Sequence, residues 1–142
     1  MRGFTLIEIL LAVAVLVVIA GSTIGLSWTT VRVTALDRAT EEVVELLRSA
    51  HWQAMLGVLD QPHGVYRQGS VITHYVGPSF ANRLSTHDRI VTLPVEITAT
   101  GAAEIIFAVR TGRIGAPAGI TLERPGSNPR TITVNIGGIV DW

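Results

Sequence analysis

The chain has 142 residues, of which 48% are hydrophobic and only 15% are charged. This length suits one domain of ordinary size and excludes two. The formal net charge is zero, which gives no support to a general polyanion-binding role. Because the chain contains no cysteine, disulfides and thiolate metal sites are excluded.

The apolar excess is concentrated near the amino terminus. No charged residue occurs between Glu8 and Arg32, and residues 9–20 are all Ile, Leu, Ala or Val. A helix needs about 20 apolar residues to cross the hydrocarbon core of a bilayer, so the uncharged stretch 9–31 is long enough. Three interpretations fit this stretch: a secretory signal peptide, a single-span anchor, or a prepilin leader followed by a helix that is retained.

The residues that open the chain favour the third interpretation. The run Gly3-Phe4-Thr5-Leu6-Ile7-Glu8, joined without a gap to the apolar stretch, resembles the cleavage and methylation motif of type IV pilins and type II secretion pseudopilins. The resemblance implies that a prepilin peptidase removes the leader, residues 1–3, by cutting between Gly3 and Phe4, and then methylates Phe4. It also implies a single-pass protein of the inner (cytoplasmic) membrane, with residues 4–31 as the transmembrane and assembly part and the C-terminal domain outside the cytoplasm.

Glu8 is an acid at the start of the apolar stretch. A charged side chain inside a membrane segment is costly, which makes it a functional hypothesis, although an acid near a segment end can also reach the headgroups. In the resembled family this glutamate pairs with the methylated amino terminus of a neighbouring subunit and sets the assembly register. The resemblance implies helix packing between subunits by Leu6, Ile7, Leu10 and Leu11.

The helical pattern continues beyond the apolar stretch. Apolar residues recur every three or four positions, which is one face of a helix, and acidic and arginine residues occupy the other face. The first proline is Pro62, so the pattern predicts one N-terminal helix over residues 4–58, with 32–58 as its amphipathic part. Trp52 is expected either between helix and sheet or at a subunit contact. The predicted apolar face consists of Leu36, Ala39, Val43, Leu47, Ala50, Ala54 and Val58.

The remainder of the chain, residues 59–142, is predicted to be a β-rich globular domain. Short runs of alternating apolar and polar residues are separated by Gly, Pro and Asn turns. The expected fold class is therefore α+β: a long N-terminal hydrophobic helix of the pilin type packed on a C-terminal antiparallel β-sheet domain. Residues 77–88 are expected to be an exposed loop. The predicted strands are 65–68, 71–76, 89–98, 104–110, 119–124, 131–136 and 139–141.

One helix followed by an all-β part resembles the GspH/FimT-like minor pilins and pseudopilins, and residues 131–140 look like the final hairpin of that subclass. The resemblance implies a structural subunit of a type II secretion pseudopilus or a type IV pilus, not an enzyme. Its implied partners are other pilin or pseudopilin subunits, the prepilin peptidase, the inner-membrane assembly platform and membrane lipid, and no cofactor is expected.

Residues suited to catalysis or metal binding form no recognisable pattern. The four histidines, at positions 51, 63, 74 and 87, lack the spacing of metal ligands and are expected to face the surface or a partner. No nucleophile-elbow, phosphate-binding or dinucleotide fingerprint occurs. No catalytic or metal-binding residue is therefore predicted.

DNA binding in natural transformation is the alternative function, since some FimT-type pilins bind DNA through a Gly-Arg-x-Arg stretch near the C-terminus. The comparable residues 137–140 here read Gly-Gly-Ile-Val, without arginine. Residues 59–142 carry seven arginines and six acidic residues, which is a poor electrostatic footprint for nucleic acid. A weak DNA contact is expected only if Arg113, Arg124 and Arg130 cluster in space, so nucleic acid is an unlikely partner on this sequence.

Overall fold

The computed structural model of the chain describes the backbone of residues 6–142 and the side chains of residues 6–18 and 35–142. Gly3 and Phe4, the predicted cleavage and methylation sites, lie outside these residues. The chain divides into two units, Met1–Thr34 and Ala35–Trp142. Each unit is described by itself.

The first unit contains the beginning of helix α1, whose bounds are Leu6–Leu56. Leucine and alanine are strong helix formers, and no proline interrupts α1. The described side chains of this unit, residues 6–18, are apolar except for Glu8, and all of them are exposed.

The described residues contain no helix with a stretch both long and apolar enough to cross a bilayer. The exposed apolar side chains that are described, residues 6–18, cover about 20 Å at the helical rise, against about 30 Å of hydrocarbon. The predictions of a transmembrane segment at residues 4–31, of a prepilin and of a single-pass location in the inner membrane are corrected by this finding.

In the second unit, α1 contributes the residues from Ala35 to its end. Along this part of the helix the charged residues are mostly exposed and the apolar face is mostly buried. Val58 is the exception and is 37% exposed, since α1 ends at Leu56 and Gly57 follows with a φ of 66°. A left-handed glycine is a common helix stop. The buried residues of the predicted face are Leu36, Ala39, Val43, Leu47, Ala50 and Ala54.

The eight strands of the second unit form two four-stranded sheets, in which every neighbouring pair is antiparallel. The first sheet has the order β3-β2-β1-β5 and the second the order β4-β6-β7-β8. Apolar residues of α1 and of both sheets share one hydrophobic core. The strands are β1 (His63–Gln68), β2 (Val71–Val76), β3 (Arg89–Thr92), β4 (Thr98–Gly101), β5 (Glu104–Phe107), β6 (Ala118–Glu123), β7 (Arg130–Val134) and β8 (Val140–Asp141).

The expected fold class is therefore wrong. It combined a long hydrophobic helix of the pilin type with an antiparallel β-sheet domain, but no helix among the described residues is apolar over the length of a membrane span. The antiparallel strands themselves are divided between two sheets. In the second unit, α1 has charged residues on its outer face and contributes its apolar face to the core.

The single predicted strand at residues 89–98 is two strands that belong to different sheets. Pro94 lies between β3 and β4, and its carbonyl accepts a hydrogen bond from the Ile97 amide at 2.8 Å. Proline has no N–H group to donate to a neighbouring strand, so strand pairing is interrupted at Pro94. The chain then returns to the first sheet after Gly101, which has a φ of 96°.

Arg67 on β1 links the two sheets. Its guanidinium donates hydrogen bonds to the carbonyl oxygens of Ala99 and Gly101 at 2.9 Å each, and of Ala102 at 3.3 Å. Ala99 and Gly101 belong to β4. One side chain of the first sheet therefore donates to three backbone carbonyls, two in β4, the edge strand of the second sheet, and one in the residue that follows β4.

The loop of residues 77–88 covers the outer face of the first sheet. The ring of Phe80 stacks on Tyr66 with centroids 4.0 Å apart, and the Arg83 guanidinium lies 3.8 Å above the Phe80 ring. Arg83 also pairs with Asp88 at 2.8 Å. The expectation of an exposed loop holds for most of residues 81–87, but Gly77 is buried and Phe80 is packed against the sheet.

Candidate assembly surface and buried histidine pair

The apolar side chains of residues 6–18 in α1 form an exposed surface, called here the assembly surface. The four residues predicted to pack between subunits are 61–78% exposed. Leu6 and Leu10 form one helical stripe, and Ile7 and Leu11 form the adjacent stripe. The other large apolar side chains of the surface, each 51–71% exposed, are Ile9, Val13, Val15, Leu16, Val17 and Val18.

Glu8 is the only charged side chain among residues 6–18, and it is exposed. Its neighbours one turn along the helix are Leu11 and Ala12, at spacings of three and four residues. Covering this surface with apolar groups would remove water from the carboxylate, which is costly unless a cation or hydrogen-bond donor replaces that water. The arrangement can therefore favour partners that bring a positive charge to Glu8.

The three arginines predicted as a weak DNA contact do not form a free cluster. Arg124 forms an ion pair with Glu96, and Arg130 forms one with Asp37 at 2.9 Å. Arg130 is the first residue of β7. Arg113 lies near the opposite end of this strand, because the amide of the next residue, Ile114, donates a hydrogen bond to the carbonyl oxygen of Ile136. The five residues of β7 separate these positions by about 15 Å at the strand rise.

Two of the four histidines are buried together, which the sequence did not predict. His63 on β1 is 0% exposed and His74 on β2 is 3% exposed. Their Nδ1 and Nε2 atoms, respectively, lie 3.1 Å apart, and His63 Nε2 lies 3.2 Å from the carbonyl oxygen of Val58. The expectation of surface or partner-facing histidines is wrong for this pair, whereas His87 is exposed as expected.

The position of the pair follows from strand pairing. His63 and Val65 alternate onto one face of β1, and His74 stands opposite Val65 on β2. Adjacent strands place such diagonal neighbours within reach of long side chains. The alternation of Ile72, His74 and Val76 was a signal for an inward histidine, but the pairing with His63 depends on the strand register.

The surroundings oppose a positive charge on either ring. Burial lowers the pKa of His74 to about 4, with contributions from His63 and Arg89, while Asp88 acts in the opposite direction. Burial also lowers the pKa of His63, and His87 adds to this effect, whereas the hydrogen bond to Val58 opposes it. Both rings are therefore neutral at pH 7.

Trp52 does not pack between the helix and a sheet, because it is 62% exposed. Among the described residues, no group of three or more His, Cys, Asp or Glu side chains could hold a metal ion. The buried histidine pair therefore offers two ring nitrogens but, among the described residues, no third side chain that could complete a metal site.

Comparisons with known proteins do not add a family to these observations. No model of a protein family matches the chain, no curated protein matches it, and no solved structure matches it.

Proposed function

We propose that this chain is a structural subunit of a pseudopilus of type II secretion or of a type IV pilus, and that it joins neighbouring subunits through the assembly surface. The observation that supports the proposal is the exposure of the large apolar side chains at residues 6–18, each at least half exposed. In the second unit, by contrast, most side chains of the same types are buried in a core, and the exposed ones are scattered over several segments.

The free energy of covering the assembly surface is large enough to drive association. Burying one Leu, Ile or Val side chain contributes about 1.5–3 kcal/mol. Ten such side chains are available, against an association cost of about 4–15 kcal/mol. A contiguous apolar surface of this kind is typical of a site that binds other protein or lipid.

Glu8 gives this surface a preferred register. A carboxylate surrounded by apolar side chains loses its hydration when the surface is covered, and a facing cation restores favourable interactions. In the resembled family that cation is the amino terminus of a neighbouring subunit. Helices that slide past one another would leave Glu8 unpaired, so the register with a paired Glu8 is favoured.

DNA binding has less support as an alternative function. Arg124 and Arg130 each face a carboxylate, and Arg113 lies near the other end of β7. Neutralised and dispersed guanidiniums contribute little counterion release on a phosphate backbone. A gel-shift titration of the full chain at low and moderate salt tests this alternative directly.

Cysteine cross-linking tests the assembly proposal, since the chain has no cysteine of its own. Leu10→Cys and Leu11→Cys place single thiols on the assembly surface, and Ser127→Cys in the β6–β7 turn is the matched control. In cells that assemble filaments, the first two variants are expected to give disulfide-linked species under mild oxidation. Ser127→Cys is expected to give far less.

Substitution of Glu8 tests the register. Glu8→Ala is expected to reduce incorporation into sheared filaments at equal cellular abundance, and Glu8→Gln to behave similarly because an amide carries no charge. Glu41→Ala removes an exposed acid from the second unit and is the control. Absence of cross-links at both positions, together with normal incorporation of Glu8→Ala, would refute the proposal.

A further inference from the structure

The buried histidine pair fastens the turn that follows α1. His63 Nε2 lies 3.2 Å from the Val58 carbonyl oxygen, and the same ring contacts His74 through Nδ1 at 3.1 Å. Val58 belongs to the short 3₁₀ segment Val58–Asp60, between α1 and β1. The contact therefore ties the turn of residues 57–62, called here the α1–β1 turn, to the first sheet.

Backbone strain makes this turn ready to open. Gly57, Leu59 and Asp60 have φ values of 66°, 59° and 52°. Left-handed conformations cost a non-glycine residue about 1 kcal/mol or more, so Leu59 and Asp60 hold this conformation only while contacts enforce it. The ion pair of Asp60 with Arg110 joins side chains that are 71% and 75% exposed, and such exposed pairs stabilise little.

Hydrogen-bonding capacity fixes the proton positions in the neutral pair. A carbonyl oxygen only accepts, so His63 Nε2 must carry the hydrogen that is donated to Val58. In a neutral ring the other nitrogen then accepts, which makes His63 Nδ1 the acceptor and His74 Nε2 the donor. The one basic nitrogen of the pair outside these bonds is His74 Nδ1.

Two successive protons therefore have different consequences. A first proton on His74 Nδ1 leaves both hydrogen bonds in place and strengthens the bond from His74 Nε2. A second proton must occupy His63 Nδ1, where it would point at the hydrogen on His74 Nε2 across 3.1 Å. Two donors and two like charges at this distance repel, so the rings must separate.

The charged groups around the pair come from the neighbouring loop and strand. His87 and Arg89 disfavour added positive charge, while Asp88 favours it. Asp88 Oδ2 is bound to Arg83, whereas its Oδ1 is buried without a hydrogen-bond partner among the described residues. Asp88 therefore assists the first proton, and the second has no comparable counter-charge.

We propose that the buried His63–His74 pair is an acid-sensitive latch: it accepts one proton without opening, and a second proton separates the rings and releases the α1–β1 turn. The released turn carries Val58 and Leu59 and adjoins Leu56, which are apolar residues 37–72% exposed. Acidification would therefore rearrange an apolar surface at the end of α1. This device is independent of the assembly surface.

The tautomers of the full chain are the first test. Long-range ¹H–¹⁵N correlation spectra at pH 7 distinguish the nitrogen that carries hydrogen in each imidazole. Both His63 and His74 are expected in the form with hydrogen on Nε2. Hydrogen on Nδ1 of either ring at pH 7 would overturn the proposal, because the order of the two protonation steps follows from these tautomers.

Hydrogen exchange of the same chain is the second test. The Asp60 amide bonds the Gly57 carbonyl within the turn at 2.9 Å, and the Ala102 amide bonds Gly119 between the strands at 2.8 Å. After correction for intrinsic rates, the Asp60 amide is expected to exchange about tenfold faster or more at pH 3.5 than at pH 5, while Ala102 keeps its protection. Equal acceleration of both amides means global unfolding and would contradict the latch.

His74→Gln separates the latch from ordinary acid sensitivity. A glutamine can donate to neutral His63 and, after its amide turns, accept from protonated His63. This variant is expected to keep the Asp60 amide protected at pH 3.5. The exposed-site control His87→Gln is expected to open at least as readily as the unsubstituted chain, because it removes a group that disfavours positive charge on the pair. If His74→Gln opens to the same extent as His87→Gln, the proposal is wrong.

Discussion

The hydroxyl group of Tyr75 donates a hydrogen bond to Glu104 Oε1 at 2.6 Å, across the intervening strand β1. The same oxygen accepts the Phe80 amide at 2.7 Å, so one carboxylate fastens both the ring on β2 and the loop of residues 77–88. Burial and the neighbouring Glu104 raise the pKa of Tyr75 above its ordinary value. Tyr75 therefore stays protonated and remains a donor across the whole pH range of stability experiments.

Tyr75→Phe is expected to lower the free energy of unfolding by about 1–2 kcal/mol. The ring stays packed, but a hydrogen bond to a charged group is lost, and such bonds contribute about 1.5–3 kcal/mol when fully buried. Urea denaturation measures the change. Tyr66→Phe is the control, because its hydroxyl has no hydrogen-bond partner among the described residues, and an equal loss in both variants would contradict the role of Glu104.

Gly64→Ala is expected to destabilise the first sheet severely, by about 3 kcal/mol or more. Gly64 stands opposite Tyr75, and a Cβ at this position would overlap the Tyr75 ring. Tyr75 is 0% exposed and cannot move into solvent, so the extra methyl group forces a backbone shift. Thermal unfolding of Gly115→Ala, whose Cβ would meet nothing within 4 Å, provides the comparison.

Lowering the pH from about 6.5 to about 4 is expected to reduce stability through His74. The unfolded chain binds a proton near the ordinary pKa of 6.5, whereas burial lowers the folded pKa of His74 to about 4. The unfolded state therefore holds more protons within this window, and the free energy of unfolding falls as pH falls. The loss from this one group is about 3 kcal/mol at most.

Urea denaturation at several pH values measures this effect. His74→Gln is expected to flatten the decline between pH 6.5 and 4, and His87→Gln is expected to retain most of it because that side chain is exposed. A decline of the same size in His74→Gln would show that other groups cause the acid sensitivity.

Arg67→Met is expected to lower the free energy of unfolding by about 2–4 kcal/mol. The substitution keeps much of the aliphatic stem but leaves the carbonyls of Ala99, Gly101 and Ala102 without their donor. Arg67→Lys should recover only part of this loss, because an ammonium cannot reproduce a planar fork of donors. Arg113→Met, at an exposed arginine, should change stability by less than about 0.5 kcal/mol.

The sequence predicts local elements of this molecule better than their arrangement. The burial of Leu36, Val43 and Leu47 follows from helical spacing, and the strands follow from alternation and turn residues. The distribution of strands over two sheets does not follow, since the turn at Gly101 reads like a hairpin turn. In the structure, β4 pairs with β6 and β5 pairs with β1.

The candidate sites likewise divide into features that the sequence shows locally and features that depend on the tertiary arrangement. The apolar stretch and its single acid, Glu8, are evident from the sequence, but the predicted crossing of a membrane is not found in the described residues. The histidine pair was missed because His63 and His74 meet only through the register of β1 and β2. The structure also weakens the prediction that Arg124 and Arg130 contact DNA, because each forms an ion pair with a carboxylate. A count of charges in the sequence does not show such pairs.

The three hydrogen bonds of the Arg67 guanidinium have a consequence for how the second unit unfolds. Separating the two sheets would expose three carbonyl oxygens and one guanidinium together, so neither sheet can loosen gradually while the other persists. Heating should accordingly give a single calorimetric transition for this unit, with equal calorimetric and van't Hoff enthalpies. Replacing Arg67 by methionine removes this link but leaves the shared hydrophobic core, so the transition should move to lower temperature and stay single.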